Sequence, residues 1–360
     1  MTLAPKPGVL DIAAYVGGRS AAPGAARVFK LSSNESPFGP SPQAVAAFRE
    51  AQEKIGVYAD ESAGSLRRAL AAFYDIESGR VVCGNGSNEL LALIANCYLR
   101  PNDEALMSVY GFMLYKIAAH ANSAIPVEVP EPARKMDVDE VFARVTERTR
   151  IVFLANPNNP TGSYLTTAEL KRLHAGLPTS VLLIVDSAYA EYVRKNDYDA
   201  GLELARASDN VVVTRTFSKA YGLAGLRVGW VYAPRHVVDT LDRVRVPFNV
   251  NAAAQAAAIA ALQDTAYTEK VVAHNETWRN WLTGHIRALG LPVDDSAGNF
   301  VLVRFGNRER ATEADRFLIS RGLILREMSG YGLPDSLRLT VGSEEANRAV
   351  IEVLKEFVSR

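Results

Sequence analysis

One short segment near the middle of the chain combines a lysine, a hydroxyl group and an arginine. Lys219 follows Ser218, and Arg227 comes eight positions after the lysine. The apolar run at residues 211–213 predicts a buried strand just before them, so Lys219 would lie past a strand end, where open α/β sheets place their active sites. A partly deprotonated lysine forms Schiff bases, and arginine and hydroxyl groups bind phosphate. This combination predicts pyridoxal phosphate chemistry, with a solvated loop as the alternative.

Two glycines separate the lysine from the arginine. Gly222 and Gly225 permit a close backbone approach or a positive φ, and residues 226–232 then form an apolar run. We expect this run to be a strand that carries Arg227 at its start, so that Lys219 and Arg227 lie on adjoining elements.

A glycine-rich turn is a second candidate for phosphate binding. Residues 84–89, Gly-Asn-Gly-Ser-Asn-Glu, follow a predicted strand and open a predicted helix, so the amides of Ser87 and Asn88 could hold a phosphate at the helix N-terminus. A dinucleotide fingerprint would need glycine where Glu89 stands, so the turn does not predict NAD binding.

Three further segments follow predicted strands. Asn159 lies in the Asn- and Pro-rich stretch at residues 156–162, which by itself is typical of a plain turn. Asp186 closes an apolar strand, and Tyr189 follows three residues later. A carboxylate at this point either caps the next segment or pairs with a pyridinium nitrogen. The aromatic residues within 110–115 either pack in the core or stack on a cofactor ring.

These candidates depend on the elements that position them. Apolar strand patterns alternate with helical patterns along the first two thirds of the chain, and the strands lack polar alternation. Such strands are buried on both faces, which predicts an α/β fold with a mostly parallel sheet sandwiched by helices. The predicted strands are 81–83, 105–108, 124–129, 151–154, 181–185 and 211–213, and the helices between them 88–98, 113–121 and 138–145.

The pattern of predicted strands and helices changes after Pro247. Two long helices are predicted at 252–262 and 267–289. Shorter strands (300–304, 323–325, 337–341) and helices (311–320, 344–357) follow, which indicates a smaller α+β domain. The first 40 residues are rich in Pro, Gly and Ala. We therefore predict an N-terminal arm (1–40), a large cofactor-binding domain (41–250) and a small C-terminal domain (251–360).

Composition narrows the class of protein. Of the 360 residues, 48% are hydrophobic and 22% are charged, which is ordinary for a globular protein with a large core. The 40 basic and 40 acidic residues cancel, so no global field favours nucleic acid or an anionic membrane. No run is long enough to span a bilayer, no metal site is predicted from the five histidines, and the two cysteines are expected to be free and buried. We expect a cytoplasmic protein.

Taken together, these segments resemble the fold type I pyridoxal phosphate aminotransferases and, within them, the class II histidinol-phosphate aminotransferase family. The resemblance extends over nearly the whole chain. Besides the segments above, it rests on residues 34–40 (Asn-Glu-Ser-Pro-Phe-Gly-Pro), 58–60, 66–67, 247–251 and 337–342.

The resemblance implies a role for each cofactor-site candidate. Lys219 would hold pyridoxal phosphate as an aldimine and then act as the acid and base of the reaction, while Asp186 would keep the ring nitrogen protonated. Asn159 and Tyr189 would hydrogen-bond the 3′ oxygen. Phe112 would stack on the ring, with Tyr110 as the competing choice. The phosphate would be held by Arg227, Ser218 and the amides near Ser87 and Asn88.

The same resemblance implies substrate contacts and a partner. Arg338 would bind the substrate α-carboxylate, Arg326 would bind the distal phosphate, and Tyr15 in the arm would close over it. Tyr58 would reach the cofactor phosphate of the neighbouring subunit, which implies a homodimer. Two features depart from the family pattern: Ser187 stands where an acid is common, and residues 110–112 differ from the usual Pro-Thr-aromatic form.

The resemblance predicts a ping-pong aminotransferase that converts L-histidinol phosphate and 2-oxoglutarate to imidazole acetol phosphate and L-glutamate, in histidine biosynthesis. An aromatic amino acid aminotransferase acting on phenylalanine or tyrosine is the nearest alternative. A second is a decarboxylase of a phosphorylated amino acid, whose arm usually carries a His-Gly-Gly segment where this chain has Asn34, Glu35 and Ser36. A cofactor-free or nucleotide-binding α/β module is the third.

Overall fold

The computed structural model describes residues 3–14, 17–19 and 21–360. Its helices and strands alternate along most of the chain. In chain order they are β1 (Phe29–Lys30), α1 (Pro42–Ala51), α2 (Gly64–Tyr74), β2 (Val81–Gly84), α3 (Ser87–Tyr98), β3 (Glu104–Ser108), α4 (Met113–Ala121), β4 (Ile125–Val129), α5 (Val138–Phe142), β5 (Thr149–Ala155), α6 (Thr167–Gly176), β6 (Leu182–Asp186), α7 (Leu202–Arg206), β7 (Val211–Thr216), β8 (Gly229–Tyr232), α8 (Arg235–Val244), α9 (Ala252–Gln263), α10 (Thr265–Ala288), β9 (Phe300–Arg304), α11 (Arg308–Ser320), β10 (Leu323–Ile324), β11 (Arg326–Glu327), β12 (Ser336–Thr340) and α12 (Glu344–Val358).

Seven strands form the central sheet, in the order β2-β8-β7-β6-β5-β3-β4. Only β8 runs antiparallel to its neighbours. Along β6 the side chains alternate between two hydrophobic clusters: Leu183 and Val185 pack in one, and Leu182 and Ile184 in the other. Helices therefore cover both faces, which explains the continuous apolar runs and confirms the predicted α/β fold.

A smaller antiparallel sheet, β11-β12-β9, is built from the last third of the chain. Residues of α10, α11 and α12 pack with it in a third hydrophobic cluster. In this sheet Arg326 lies directly opposite Arg338. The arm joins the same region, because Phe29 and Lys30 of β1 pair in parallel with Leu323 and Ile324 of β10.

Several boundaries differ from the sequence-based expectations. Arg227 was expected at the start of a strand, but β8 begins only at Gly229 and Arg227 has a left-handed backbone, with φ 52°. The helices α1 and α2 were not predicted, and α5 ends at Phe142. The sequence-based domain boundary near residue 250 stays a prediction. Because α9 packs against α1 and α2 in the first hydrophobic cluster, we propose that the large domain extends to the end of α9.

Among the helices in residues 3–14, 17–19 and 21–360, none has the length and apolar content needed to cross a bilayer. Both cysteines are free thiols; Cys83 is buried and Cys97 is half-buried. Burial raises the pKa of Cys83 to about 12 and also raises the pKa of Cys97, so thiolate chemistry is disfavoured at both.

Candidate active site

A cavity of about 260 Å³ opens where the parallel strands end. Loops after β2, β3, β5, β6 and β7 line one side of it, and β11, β12 and the arm line the other. Most of the predicted cofactor and substrate residues lie on its wall: Ser87, Asn88, Phe112, Asn159, Asp186, Tyr189, Ser218, Lys219, Arg227, Arg326 and Arg338. The topology brings them together because parallel strands share one carboxyl edge.

Lys219 lies half-buried in this cavity, three residues past Thr216, the last residue of β7. Its Nζ donates a hydrogen bond to the carbonyl oxygen of Ser33, at 3.2 Å. Burial and the nearby guanidinium of Arg338 lower the pKa of Lys219 to about 8, with a smaller contribution from Arg227 and opposition from two carboxylates. A larger share of this amine is therefore neutral near physiological pH than of an exposed lysine, as a nucleophile requires.

Asp186 is the last residue of β6 and is 6% exposed. Its Oδ2 accepts a hydrogen bond from the hydroxyl of Tyr115 at 2.7 Å, and its Oδ1 accepts one from Thr214 at 2.9 Å. Burial raises the pKa of Asp186, while these two donors and the amide of Ala188 oppose the rise. The carboxylate is thus held in one orientation and is suited to pair with a cation.

Tyr115 and Thr214 were not predicted, although the sequence holds a signal for each. Tyr115 lies three residues after Phe112, which places both on one side of a helical turn. Thr214 lies two residues before Thr216 on β7 and opposite Asp186 on β6. Neither residue type by itself distinguishes a site residue from a core residue.

The N-terminus of α3 and Arg227 lie together at one corner of the cavity, where they are suited to bind an anion. Gly86 has φ 78°, and a Cβ there would lie 2.5 Å from the Arg227 Nη2. A Cβ on Gly229 would lie 2.6 Å from the backbone nitrogen of Ser87, so β8 can approach the helix only as glycine. Arg227 Nη1 donates to the Ser218 hydroxyl at 3.2 Å. These donors converge as a phosphate group requires.

The opposite wall is a chain of buried polar contacts. Arg338, 5% exposed, donates through Nη1 to the side-chain oxygen of Asn159 and through Nη2 to the Ser32 carbonyl, the latter at 2.8 Å. The hydroxyl of Tyr189 accepts from the side-chain amide of Asn34 at 2.9 Å. Burial raises the pKa of Tyr189 to about 12, so the phenol stays protonated and can donate a hydrogen bond.

Other predicted residues lie elsewhere. Tyr110 packs in a separate small hydrophobic cluster, whereas Phe112 lines the cavity. Tyr58 is 83% exposed and stacks on Phe248, with ring centres 4.6 Å apart. Tyr15 lies outside the described residues.

Ser187 occupies the position where the resembling family commonly carries an acid. It is fully buried and donates to the carbonyl of Ala200 at 2.9 Å. Its side chain therefore turns away from the ring-nitrogen contact proposed for Asp186.

The donor set fits pyridoxal phosphate. The amine of Lys219, which can be neutral, matches the aldehyde of that cofactor, and the buried carboxylate of Asp186 matches its pyridine nitrogen. The corner at Arg227 is suited to its phosphate, and the aromatic side chain of Phe112 to its ring face.

Comparisons with known proteins agree with this geometry. The family model for aminotransferase class I and II matches residues 26–354. The chain is 51% identical over 360 residues to the histidinol-phosphate aminotransferase of Rhodopseudomonas palustris (strain BisB18), covering 99% of this chain and 98% of the relative. It is 52% identical over 357 residues to that of Paramagnetospirillum magneticum (strain ATCC 700264 / AMB-1), with the same coverage.

A solved structure shares the fold as well. The crystal structure of histidinol-phosphate aminotransferase from Sinorhizobium meliloti, in complex with pyridoxal-5′-phosphate, superimposes with a TM-score of 0.90 and 28% identity. The match covers 98% of this chain and 96% of that chain. Because the family model spans most of the sequence and both curated relatives align from end to end, the chain belongs to the aminotransferase class I and II family.

Proposed function

We propose that this protein is a pyridoxal phosphate-dependent aminotransferase that transfers the amino group of L-histidinol phosphate to 2-oxoglutarate. One observation carries the choice of substrate: two arginines, Arg326 and Arg338, lie opposite each other in the small sheet and line the cavity that contains Lys219. The names of the curated relatives support the same substrate.

The cavity residues divide the work of holding the cofactor. Asp186 would receive the protonated ring nitrogen, and Asn159 and Tyr189 would hydrogen-bond the 3′ oxygen. Phe112 would cover the ring face. Arg227, Ser218 and the amides of Ser87 and Asn88 would hold the phosphate, since a helix N-terminus and a guanidinium both favour anions.

Lys219 would act both as the attachment point and as the proton carrier. When bound, the cofactor supplies the carbon that receives the amino group and a ring that accepts the electron pair of the broken Cα–H bond. Lys219 Nζ would remove the proton from Cα and return it on the cofactor side. Its pKa of about 8 lets the same amine take up and release a proton near physiological pH.

The two arginines explain how one cavity serves two different substrates. L-histidinol phosphate has no carboxylate; its phosphate is attached to the carbon next to Cα. 2-Oxoglutarate has two carboxylates. The positive charges of Arg326 and Arg338, which lie opposite each other in the sheet, repel each other. A dianion bound between them would relieve this repulsion. We infer that the arginines share the phosphate in one half-reaction and bind separate carboxylates in the other.

Steady-state kinetics on Arg326→Ala test this assignment. We expect kcat/KM for L-histidinol phosphate and for 2-oxoglutarate to fall by about 10- to 100-fold, because each loses a charge-assisted contact. Phenylalanine has one carboxylate, which Arg338 would bind, so its kcat/KM is expected to change by less than about threefold.

Arg304→Ala is the matched control. Arg304 lies on β9 of the same small sheet, pairs with Asp294 at 3.3 Å and does not line the cavity. It should leave all three substrates unaffected. An equal loss for the three substrates in Arg326→Ala would sink the phosphate contact, and a wild-type preference for phenylalanine would favour the aromatic aminotransferase instead.

We also infer that the enzyme is a homodimer in which Tyr58 contributes to the neighbouring site. A group of exposed apolar side chains supports this: Ile55, Val57, Tyr58, Val246 and Phe248. Surfaces of this kind on a protein commonly mark interfaces. A cytoplasmic location stays a prediction from the sequence.

A further inference from the structure

Three consecutive residues of the arm contact three different residues of the proposed site. The Ser32 carbonyl accepts a hydrogen bond from Arg338 at 2.8 Å, and the Ser33 carbonyl accepts one from Lys219 at 3.2 Å. Asn34 donates from its side-chain amide to the hydroxyl of Tyr189 at 2.9 Å. Residues 32–34, called the strap below, therefore connect the small-domain arginine with the lysine and tyrosine of the large domain.

Asn34 is fixed within the strap on every side. It is 1% exposed, and its carbonyl accepts from the side chain of Asn299 at 3.0 Å. Its backbone is left-handed, with φ 55°, a conformation that asparagine tolerates better than most residues. Its backbone nitrogen lies 3.0 Å from the hydroxyl oxygen of Thr340, and that same hydroxyl lies 3.0 Å from the Asn34 Oδ1.

The direction of each hydrogen bond in this chain follows from the groups that can only donate or only accept. A backbone N–H can only donate, so the Thr340 oxygen accepts from Asn34; the Asn34 Oδ1 can only accept, so the Thr340 hydroxyl donates its proton there. The amide NH₂ of Asn34 then faces Tyr189, whose oxygen accepts. Tyr189 lines the cavity, and no other described group hydrogen-bonds its hydroxyl, so its proton is directed into the cavity.

We propose that Asn34 and Thr340 are positioning residues that orient the Tyr189 hydroxyl as an obligatory donor toward the 3′ oxygen of the cofactor. The inference rests on the proposed function, because it needs the cofactor in this cavity. A hydrogen bond donated to that oxygen stabilises its negative charge and weakens its hold on the proton shared with the lysine nitrogen. This chain of hydrogen bonds from Thr340 through Asn34 to Tyr189, called the relay, therefore lowers the pKa at which the absorbance of the lysine-bound cofactor changes.

Other charged and titratable groups act on the same proton and stay constant in the test. They come from every element around the lysine: Glu35, Asp186, Arg227, Tyr331 and Arg338. A useful variant therefore has to reverse the hydrogen bond between Asn34 and Tyr189. The same variant made in a protein that lacks the Tyr189 hydroxyl then separates this reversal from the effect of the added charge.

Asn34→Asp provides the reversal, because aspartate also tolerates a left-handed backbone and offers only acceptors to Tyr189. We expect the absorbance pKa of the holoenzyme to rise by about one pH unit, since the tyrosine proton turns to the new carboxylate. In a Tyr189→Phe background only the charge effect remains, so the rise should be smaller by about 0.5 pH unit or more. Equal rises in the two backgrounds would overturn the proposal.

Thr340→Val and Thr340→Ser form a second pair that introduces no charge. The serine variant keeps the hydroxyl, and its absorbance pKa should match the wild type. The valine variant removes the hydroxyl that holds Asn34 Oδ1, so its absorbance pKa should be higher than that of the serine variant. Equal values for the two also overturn the relay. A wild-type protein that gives no pH-dependent absorbance with pyridoxal phosphate would instead contradict the proposed function.

Discussion

Lys219 is a half-buried base whose charge opposes folding of the cofactor-free protein. Its pKa is about 8 in the folded chain and 10.5 in an unfolded one. Below pH 8 the lysine is charged in both states; between 8 and 10.5 only the unfolded chain holds the proton. Stability contributed by this group therefore rises with pH across that window. The gain is at most about 3 kcal/mol, since solvent reaches the half-buried amine.

Lys219→Met tests this linkage. We expect the variant to be more stable than the wild type near pH 7, in the absence of cofactor, because it removes the cost of burying a charge. The difference should shrink as pH rises from 8 to 10.5. Chemical unfolding of both proteins at several pH values measures it. A difference that stays constant with pH would show that the pKa of Lys219 is not lowered.

At the scale of single residues, the sequence was informative about groups with distinctive chemistry. Lys219 and Asp186 each follow a strand pattern and Arg227 stands at the start of one, and the structure places all three on one cavity. Their individual roles stay predictions. Asn34 was recognised only as part of the segment 34–40 that carries the family resemblance, because its contacts with Tyr189 and Thr340 depend on residues far away in the sequence.

The turn between β2 and α3 is the element on which the proposed phosphate binding would depend most directly. We expect Gly86→Ala to raise the Kd for pyridoxal phosphate by about tenfold or more, because the new Cβ requires a strained backbone and displaces the guanidinium of Arg227. Titration of the cofactor into the apoprotein, followed by absorbance, gives the Kd.

Gly225→Ala is the control for that change. Gly225 lies in the same lysine-to-arginine segment, but a Cβ there meets no atom within 4 Å and its backbone is not left-handed. Its Kd should match the wild type. If the two alanine variants bind equally well, the corner formed by Gly86 and Arg227 does not hold the phosphate.

Local sequence patterns do not fix where each strand and helix begins and ends. The apolar run at 226–232 predicted a strand through Arg227, yet pairing with β7 begins only where Thr216 meets Gly229. A hydrophobic pattern does not reveal that Arg227 must leave the sheet to reach Ser218. α1 was missed although Ser41 and Pro42 form a helix start signal, and its partner α9 lies some 200 residues later in the chain.

At the scale of the whole molecule, a hybrid dimer can test the contribution of Tyr58. One protomer carries Lys219→Ala and the other Tyr58→Phe, each with a different affinity tag. If Tyr58 acts across the interface, one site in the hybrid combines a native lysine with a native tyrosine. We expect one cofactor site of wild-type affinity per hybrid dimer, as two-fold symmetry requires.

The two parent homodimers are the controls, and neither should contain a site of wild-type affinity. If Tyr58 acted within its own chain, the hybrid would also lack one. Sedimentation of the wild-type protein as a monomer would contradict the dimer itself. The exposed apolar group around Tyr58 and Phe248 would then need another partner.

The contact between Asn34 and Thr340 joins residues 306 positions apart. During synthesis the ribosome makes the strap first and β12 much later, so a nascent chain holds Lys219 and Asp186 well before it can complete this wall of the cavity. Contacts of such separation form slowly, because a long loop must close before they stabilise anything. We therefore expect the cavity to reach its final geometry, in which it could hold the cofactor, late in biogenesis, after β12 has left the ribosome.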